Sequence, residues 1–187
     1  MRYRNRKLCF DALFAGAAAV VFAFASAARA DTFGAQVAGG FGSHSTNKVD
    51  LAFVWDPGVN WWHVVGWHFA LMVEANVAYW HSTESGSRND VFELGVTPFV
   101  RFIKDAGSVR PYIEVGAGPR GLTHPTVSDE FTASTALQLT EVIGVGAQFG
   151  GRQQYEAGLR FQHLSNAGIK EPNPGINFSQ LYVRYNF

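Results

Sequence analysis

Between Trp67 and Tyr79 the side chains alternate. Trp67, Phe69, Leu71, Val73, Val77 and Tyr79 are apolar, while His68, Glu74 and Asn76 hold the other parity. Successive side chains of a β-strand leave opposite faces, so a period of two makes a ribbon with one greasy and one polar side. The same pattern recurs from 92 to 102, where Phe92, Leu94, Val96, Val100 and Phe102 oppose Glu93, Thr97 and Arg101. Pro98 is a blemish there, because it has no N–H for a ladder. It recurs again where Ile113, Val115 and Ala117 oppose Tyr112, Glu114 and Arg120. Turn-forming clusters at 43–47, 56–60, 82–89, 104–108, 124–129, 150–151 and 167–175 separate these ribbons. The expectation is an all-β chain of eight antiparallel up-and-down strands, near 33–42, 47–56, 64–80, 90–103, 109–122, 134–149, 153–165 and 178–187.

The first thirty residues read as an address. Met1–Lys7 is basic, Leu13–Ala27 is an apolar run, and Ala28-Arg29-Ala30 puts small residues where a signal peptidase reads. The run is short for a membrane-spanning helix. The expected domains are therefore a cleaved secretory signal over 1–30 and a single β-barrel over 31–187. Cys9, the only cysteine, leaves with the signal, so neither disulfides nor thiol chemistry is expected in the remainder. The whole chain balances 15 basic against 15 acidic groups, but residues 31–187 keep 10 basic and 14 acidic groups, a net charge of −4. A mildly acidic body without a Lys/Arg run argues against nucleic-acid binding.

Which face looks outward decides the class. A soluble eight-stranded barrel hides its apolar face; a membrane barrel turns it toward lipid. Glu74, Glu93, Arg101, Glu114, Arg120, Glu156 and Arg160 crowd the polar face. That is more charge than a ligand cup needs, but it can pair inside a bore just wide enough for side chains. Trp55, Trp61, Trp62, Trp67, Tyr79 and Trp80 lie near strand ends, as interfacial girdles do. The chain closes on an alternating strand, Leu181 to Phe187, ending in an aromatic ring. Short connections alternate with the longer segments 82–89, 123–133 and 166–177, which suits short periplasmic turns and long outer loops. The expectation is a transmembrane β-barrel of the bacterial outer membrane; a soluble calycin-like binder is the competing class.

One strand breaks its own rule. The apolar parity Tyr155, Ala157, Leu159, Phe161 continues to His163 and Ser165, and that of the last strand runs back to Asn177. Polar groups on a lipid-facing surface are costly unless satisfied or near the interface. Histidine can take a serine proton and make the hydroxyl a nucleophile, with a third polar group fixing the imidazole. On the outside of a barrel such a nucleophile reaches only a lipid. Glu141 also lies on the apolar parity of its strand, and the Gly150-Gly151 turn brings it opposite Phe161 or His163. A bulge would instead turn it into the bore. His44, His63, His68, His81 and His124 are scattered without metal-ligand spacing and read as structural or surface groups.

The segment His163-Leu-Ser-Asn-Ala-Gly-Ile-Lys-Glu-Pro-Asn-Pro-Gly-Ile-Asn177 resembles the His-x-Ser-Asn-Ala-Gly…Pro-Asn-x-Gly segment of the PagL family of outer-membrane lipid A 3-O-deacylases. The signal, the eight strands and the C-terminal strand agree with it. The resemblance implies a serine esterase acting on lipid A of lipopolysaccharide, with Ser165 as nucleophile and His163 as general base. It also implies that Asn166, Gly168 and Asn173 are support or oxyanion residues. A backbone N–H of this loop and the Asn173 amide are the candidate donors, although Asn173 and Gly175 also suit a plain turn. The chain departs from the family at the third member, because the family's acid falls on Asn177, which orients an imidazole but brings no charge. Glu141 is the second candidate for that role. Glu171, beside Lys170 in the loop, reads as solvated. The alternatives are a non-catalytic small barrel and an outer-membrane phospholipase. No cofactor or metal motif stands out, and self-association is left open.

Overall fold

The structure is a computed structural model that describes residues 31–86 and 89–187, so the expected signal over 1–30 lies outside the described residues. Nine strands form one antiparallel sheet: β1 (Thr32–Gly42), β2 (Thr46–Asp56), β3 (Asn60–Val64), β4 (Trp67–Ser82), β5 (Val91–Lys104), β6 (Val109–Leu122), β7 (Leu137–Phe149), β8 (Tyr155–Ser165) and β9 (Ile176–Asn186). Each neighbours the next in space, except that β2 pairs with β4, and β1 with β9 closes the barrel. Eight staves result, because β3 only continues the place of β2 along the start of β4. Closure leaves no long unpaired edge, the condition for putting strands in a membrane.

The short strand β3 was not expected. The chain breaks at Asp56-Pro57-Gly58, where the Gly58 N–H, on a left-handed backbone (φ 69°), donates to Asp56 Oδ1 at 2.8 Å. Pairing then resumes, and Val65 and Gly66 (φ 49° and 80°) turn the chain into β4. Two successive positive φ values match the tight hairpin turn favoured by strand twist. The expected strand from 64 therefore starts at Trp67, inside the hairpin. Pro98 leaves its mark too: β5 pairs with β6 at Gly95 and at Phe99, but not between them.

Burial follows parity. Val37, Leu51, Phe53, Leu94, Val115, Ile143, Leu159 and Leu181 are exposed on the outside, toward lipid. Among the described residues, the bore holds five buried basic side chains (Lys48, Arg101, Arg120, Arg160, Arg184) and five buried carboxyl side chains (Asp50, Glu74, Glu93, Glu114, Glu156). Arg160 bridges Glu74 and Glu114 at 2.8 and 2.7 Å; Arg101 bridges Glu114 and Glu156 at 2.8 and 3.0 Å. Lys48 reaches Glu93 at 2.8 Å and Gln162 at 2.9 Å. Arg120 lies 2.8 Å from Glu93 as a charge contact rather than an aligned hydrogen bond. The Tyr112 and Tyr182 rings fit because Gly146 and Gly158 face them: a Cβ on either glycine would stand 2.6 Å from a tyrosine hydroxyl.

The outer end is sealed. Val127, Phe131 and Ala133, from the connection between β6 and β7, pack with Trp80, Leu164, Ile176 and Phe178 in a buried apolar cluster. Trp80 therefore corrects the girdle expectation. It has the parity opposite to Tyr79, is fully buried, and its indole N–H donates to Glu93 at 2.9 Å. Trp55 and Trp62 stay exposed on the outside, while Trp61 and Trp67 are half-buried.

The neighbours Glu114 and Val115 test this inversion. Glu114→Leu takes one of two carboxylate partners from both Arg101 and Arg160, leaving the bore short of a negative charge, and is expected to cost about 3–5 kcal/mol. Val115→Arg puts a cation in lipid and is expected to cost about 2–4 kcal/mol. Denaturant unfolding of the barrel in lipid vesicles measures both. A stabilised Glu114→Leu protein would mean that the charged face looks outward.

Candidate active site

Strands β7, β8 and β9 bring the sequence-predicted polar residues into one row. Glu141 on β7 is the register partner of His163 on β8, and His163 is the partner of Asn177 on β9. Directly opposed residues in an antiparallel pair have Cα atoms about 4.5–5.5 Å apart. Gln162 and Leu164, on either side of His163, are buried in the bore, so His163 and Ser165 leave the other face, at the outer end of β8. Glu141 is exposed on that same outer face; no bulge turns it inward. Leu139 and Ser165 form the next row toward the loops.

His163 is held on one side. Its Nδ1 lies 2.7 Å from Asn177 Oδ1. An amide oxygen only accepts, so this contact places the ring proton on Nδ1 and leaves the Nε2 lone pair free. Asn177 is fixed in turn by Ser43: its backbone N–H donates to Ser43 Oγ at 3.1 Å, and its carbonyl accepts from the Ser43 N–H at 2.9 Å. Gly175 closes the near side of the ring. Its backbone is left-handed (φ 67°), and a Cβ there would stand 2.7 Å from His163 Cε1 and 3.3 Å from Nε2. Glu141 makes no hydrogen bond among the described residues, and it occupies the flank of His163 away from Asn177.

The loop after Ser165 is organised by its asparagines. Asn166 is fully buried. Its amide nitrogen donates to the carbonyls of Lys170 (2.7 Å) and Ala133 (3.3 Å), and its Oδ1 accepts from the Gly168 N–H at 2.9 Å. The Asn166 N–H donates to Asn173 Oδ1, also at 2.9 Å. Asn166 and Gly168 are thus spent on the loop itself. The Asn173 amide nitrogen, which has no acceptor among the described residues, is the remaining side-chain donor of the trio. The Ala167 N–H donates to Ser165 Oγ at 3.5 Å. Glu171 is exposed in the loop, as expected.

Below the row, toward mid-membrane, lies an apolar depression of about 470 Å³. Phe41, Phe161, Leu159 and Leu181 wall it, and the small residues Gly39 and Ser179 floor it. Ser179 pairs with Phe161, one residue pair inward from the Asn177–His163 side of the same face.

The other histidines lie elsewhere. His44 stacks on Phe131, and His81 contacts Asp90 at 3.0 Å. His63 and His68 meet Asp105 at the short-turn end of the barrel, an association that no spacing rule would find.

Comparison with known proteins finds relatives along most of the chain. The family model described as "Lipid A 3-O-deacylase (PagL)" matches residues 47–186. Lipid A deacylase PagL of Pseudomonas aeruginosa is 31% identical over 160 residues, covering 86% of this chain and 88% of that protein. Its namesake from Bordetella bronchiseptica is 35% identical over 130 residues, covering 68% and 70%. Among solved structures, the outer membrane enzyme PagL superposes with a TM-score of 0.72 at 26% identity, covering 81% of this chain and 98% of that one. Neisserial surface protein A shares the fold alone, with a TM-score of 0.52 at 12% identity over 87% of this chain and all of that one. With the family model spanning 47–186, from β2 to β9, and two deacylases alike along most of their length, the chain belongs to the lipid A 3-O-deacylase (PagL) family.

Proposed function

We propose that this barrel hydrolyses the ester-linked acyl chain at the 3-position of lipid A, using Ser165 as nucleophile and His163 as general base on the lipid-facing wall. One observation carries the assignment: His163, held through Nδ1 by Asn177 with Nε2 free, shares the outer face of β8 with Ser165. The relatives' names supply the substrate, which is lipid A. Family membership makes the chain an ester hydrolase; the division of labour below is our reading.

In that reading the Ser165 Oγ attacks the ester carbonyl while its proton passes to His163 Nε2. The carbonyl oxygen becomes an oxyanion, for which the Asn173 amide and the Ala167 N–H are the donors in this reading. Donors of this kind are worth about 3–4 kcal/mol each. Collapse expels the sugar 3-oxygen, which takes the proton from the imidazolium. Water, deprotonated by the same imidazole, then releases the fatty acid from the serine. The apolar depression beneath Phe161 and Ser179 takes the acyl chain, because it starts beside the row and descends toward the bilayer centre. The polar sugar stays at the outer loops.

Two groups replace the family's single acid. Asn177 orients the ring, and Glu141, on the opposite flank, supplies the negative charge that an amide lacks. Charge close to a forming imidazolium matters most where the surroundings are apolar.

Ser165→Ala and His163→Ala are expected to keep the barrel and abolish release of hydroxy fatty acid from lipopolysaccharide, read by mass spectrometry of lipid A. Release at the wild-type rate by either variant rejects the mechanism. Supplying phospholipid vesicles beside lipopolysaccharide separates a deacylase from a phospholipase.

Asn177→Ala removes a hydrogen bond to a ring that becomes charged, a loss of about 1.5–3 kcal/mol, or roughly ten- to a hundredfold in kcat. Glu141→Gln is expected to lower kcat as well, and Asn177→Glu to make Glu141 dispensable. Equal sensitivity to Glu141→Gln with either residue at 177 would remove Glu141 from the machinery.

Gly175→Ala is expected to reduce turnover by about tenfold or more, since small misplacements of a catalytic group are costly. The folded barrel should persist, as judged by its heat-modifiable mobility on gels.

A further inference from the structure

At the end of the barrel opposite His163, the break in the β2 stave assembles a second cluster. The register between β3 and β4 shifts by one residue between Trp61 and Val64, and Trp62 takes a left-handed backbone (φ 47°). The extra residue lets Trp61 and Trp62 both lean on Phe69, with ring centroids 5.9 and 6.0 Å away. It thereby brings His63 to the side of His68, whose ring is 5.2 Å away. His68 has the inward parity of β4 and is only 5% exposed. Asp105 opens the turn after β5 and is tied to the β3–β4 hairpin by its N–H, which donates to the Gly66 carbonyl at 2.8 Å. Asp105 Oδ1 then lies 2.5 Å from His68 Nδ1 and 3.6 Å from His63 Nδ1. One ligand atom from each of the three residues falls within 4.8 Å of the others.

We propose that His63, His68 and Asp105 form a site for a divalent transition-metal ion, with zinc the best fit, that clasps the β3–β4 hairpin to the turn between β5 and β6. Two imidazoles and a carboxylate suit zinc and its neighbours, whereas calcium and magnesium prefer shells of oxygen. Tetrahedral zinc, with bonds of about 2.0–2.1 Å, holds its donors roughly 3.3 Å apart. The separations of 2.5 and 3.6 Å bracket that spacing, so small side-chain rotations admit the ion. Water completes the fourth position, reached through the His63 side chain, which is 66% exposed. The ion takes the place of the hydrogen between His68 Nδ1 and Asp105, and the neutral imidazole keeps its one ring proton on Nε2. The site faces the periplasm, because short turns and both chain ends of the described barrel share this side.

The test uses the folded barrel in detergent micelles, stripped with chelator and titrated with zinc chloride by calorimetry at neutral pH. One equivalent should bind with a Kd near or below about 10 µM, and cobalt(II) should give the intense visible bands of a four- or five-coordinate ion. His63→Ala changes an exposed side chain and should weaken zinc by at least tenfold. His68→Ala should do the same, and His81→Ala, at the other end, should change nothing. Zinc should raise the thermal transition of the wild type and not that of His63→Ala. His63→Ala should deacylate lipid A at the wild-type rate, which separates this site from the row around His163. Absence of saturable uptake by the wild type, or equal affinity in wild type and His63→Ala, would overturn the proposal.

Discussion

Among the described residues, ten basic and acidic side chains share the bore of this barrel, five of each kind, and the rest of the molecule depends on their mutual neutralisation. A single unpaired charge in such a place costs several kcal/mol. Here three arginines bridge carboxylates from different strands: Arg160 joins Glu74 of β4 to Glu114 of β6, Arg101 of β5 joins Glu114 to Glu156 of β8, and Arg184 of β9 joins Glu74 to Glu156. The polar parity of the strands can face inward only because these partners are there. Once it does, the apolar parity must face out, and lipid is the only solvent that accepts it. The inversion follows from charge balance inside as much as from hydrophobicity outside.

A wall made rigid from within suits chemistry on its outer surface. Two interstrand registers and a hydrogen bond position His163, and Asn177 is itself locked to Ser43 at the end of β1. The loop beyond Ser165 is equally constrained, with the buried Asn166 side chain bonding three of its own and neighbouring backbone groups. Preorganisation of this kind limits reorganisation when charge develops. In the proposed reaction it also limits the substrate: a nucleophile on this face, at the outer edge of the apolar band, would meet the acyl ester of a lipid standing in the outer leaflet.

Parity made much of this legible beforehand. A period of two places Glu114 inside and Val115 outside, and counting through the Gly150-Gly151 turn puts Glu141 opposite His163, where the register has it. The same rule, applied to Trp80, would have put it in the bore; proximity to a strand end was the weaker argument, and the ring is buried against Phe178. Irregularities were not legible. Nothing in the composition of 57–66 announces that Trp62 adopts a left-handed backbone and shifts the register, so His63 and His68 looked unrelated. Likewise a sequence motif that marks Asn166 and Gly168 as support or oxyanion residues does not distinguish a donor aimed at substrate from one spent on its own loop.

The amide at 177 stands where the family resemblance of the sequence leads one to expect an acid, and electrostatics limits what that difference can mean. Orientation needs only an acceptor at Nδ1, which Asn177 Oδ1 provides at 2.7 Å. Stabilising an imidazolium needs negative charge nearby, and apolar surroundings strengthen any such charge. Glu141 is a carboxylate on a lipid-facing parity, where it has no structural partner among the described residues, and it is the register neighbour of the one ring that becomes cationic in the proposed reaction. A charge kept in so costly a position fits a compensating role: the two duties of one family residue divided between two strands, with β9 holding the ring and β7 balancing its charge.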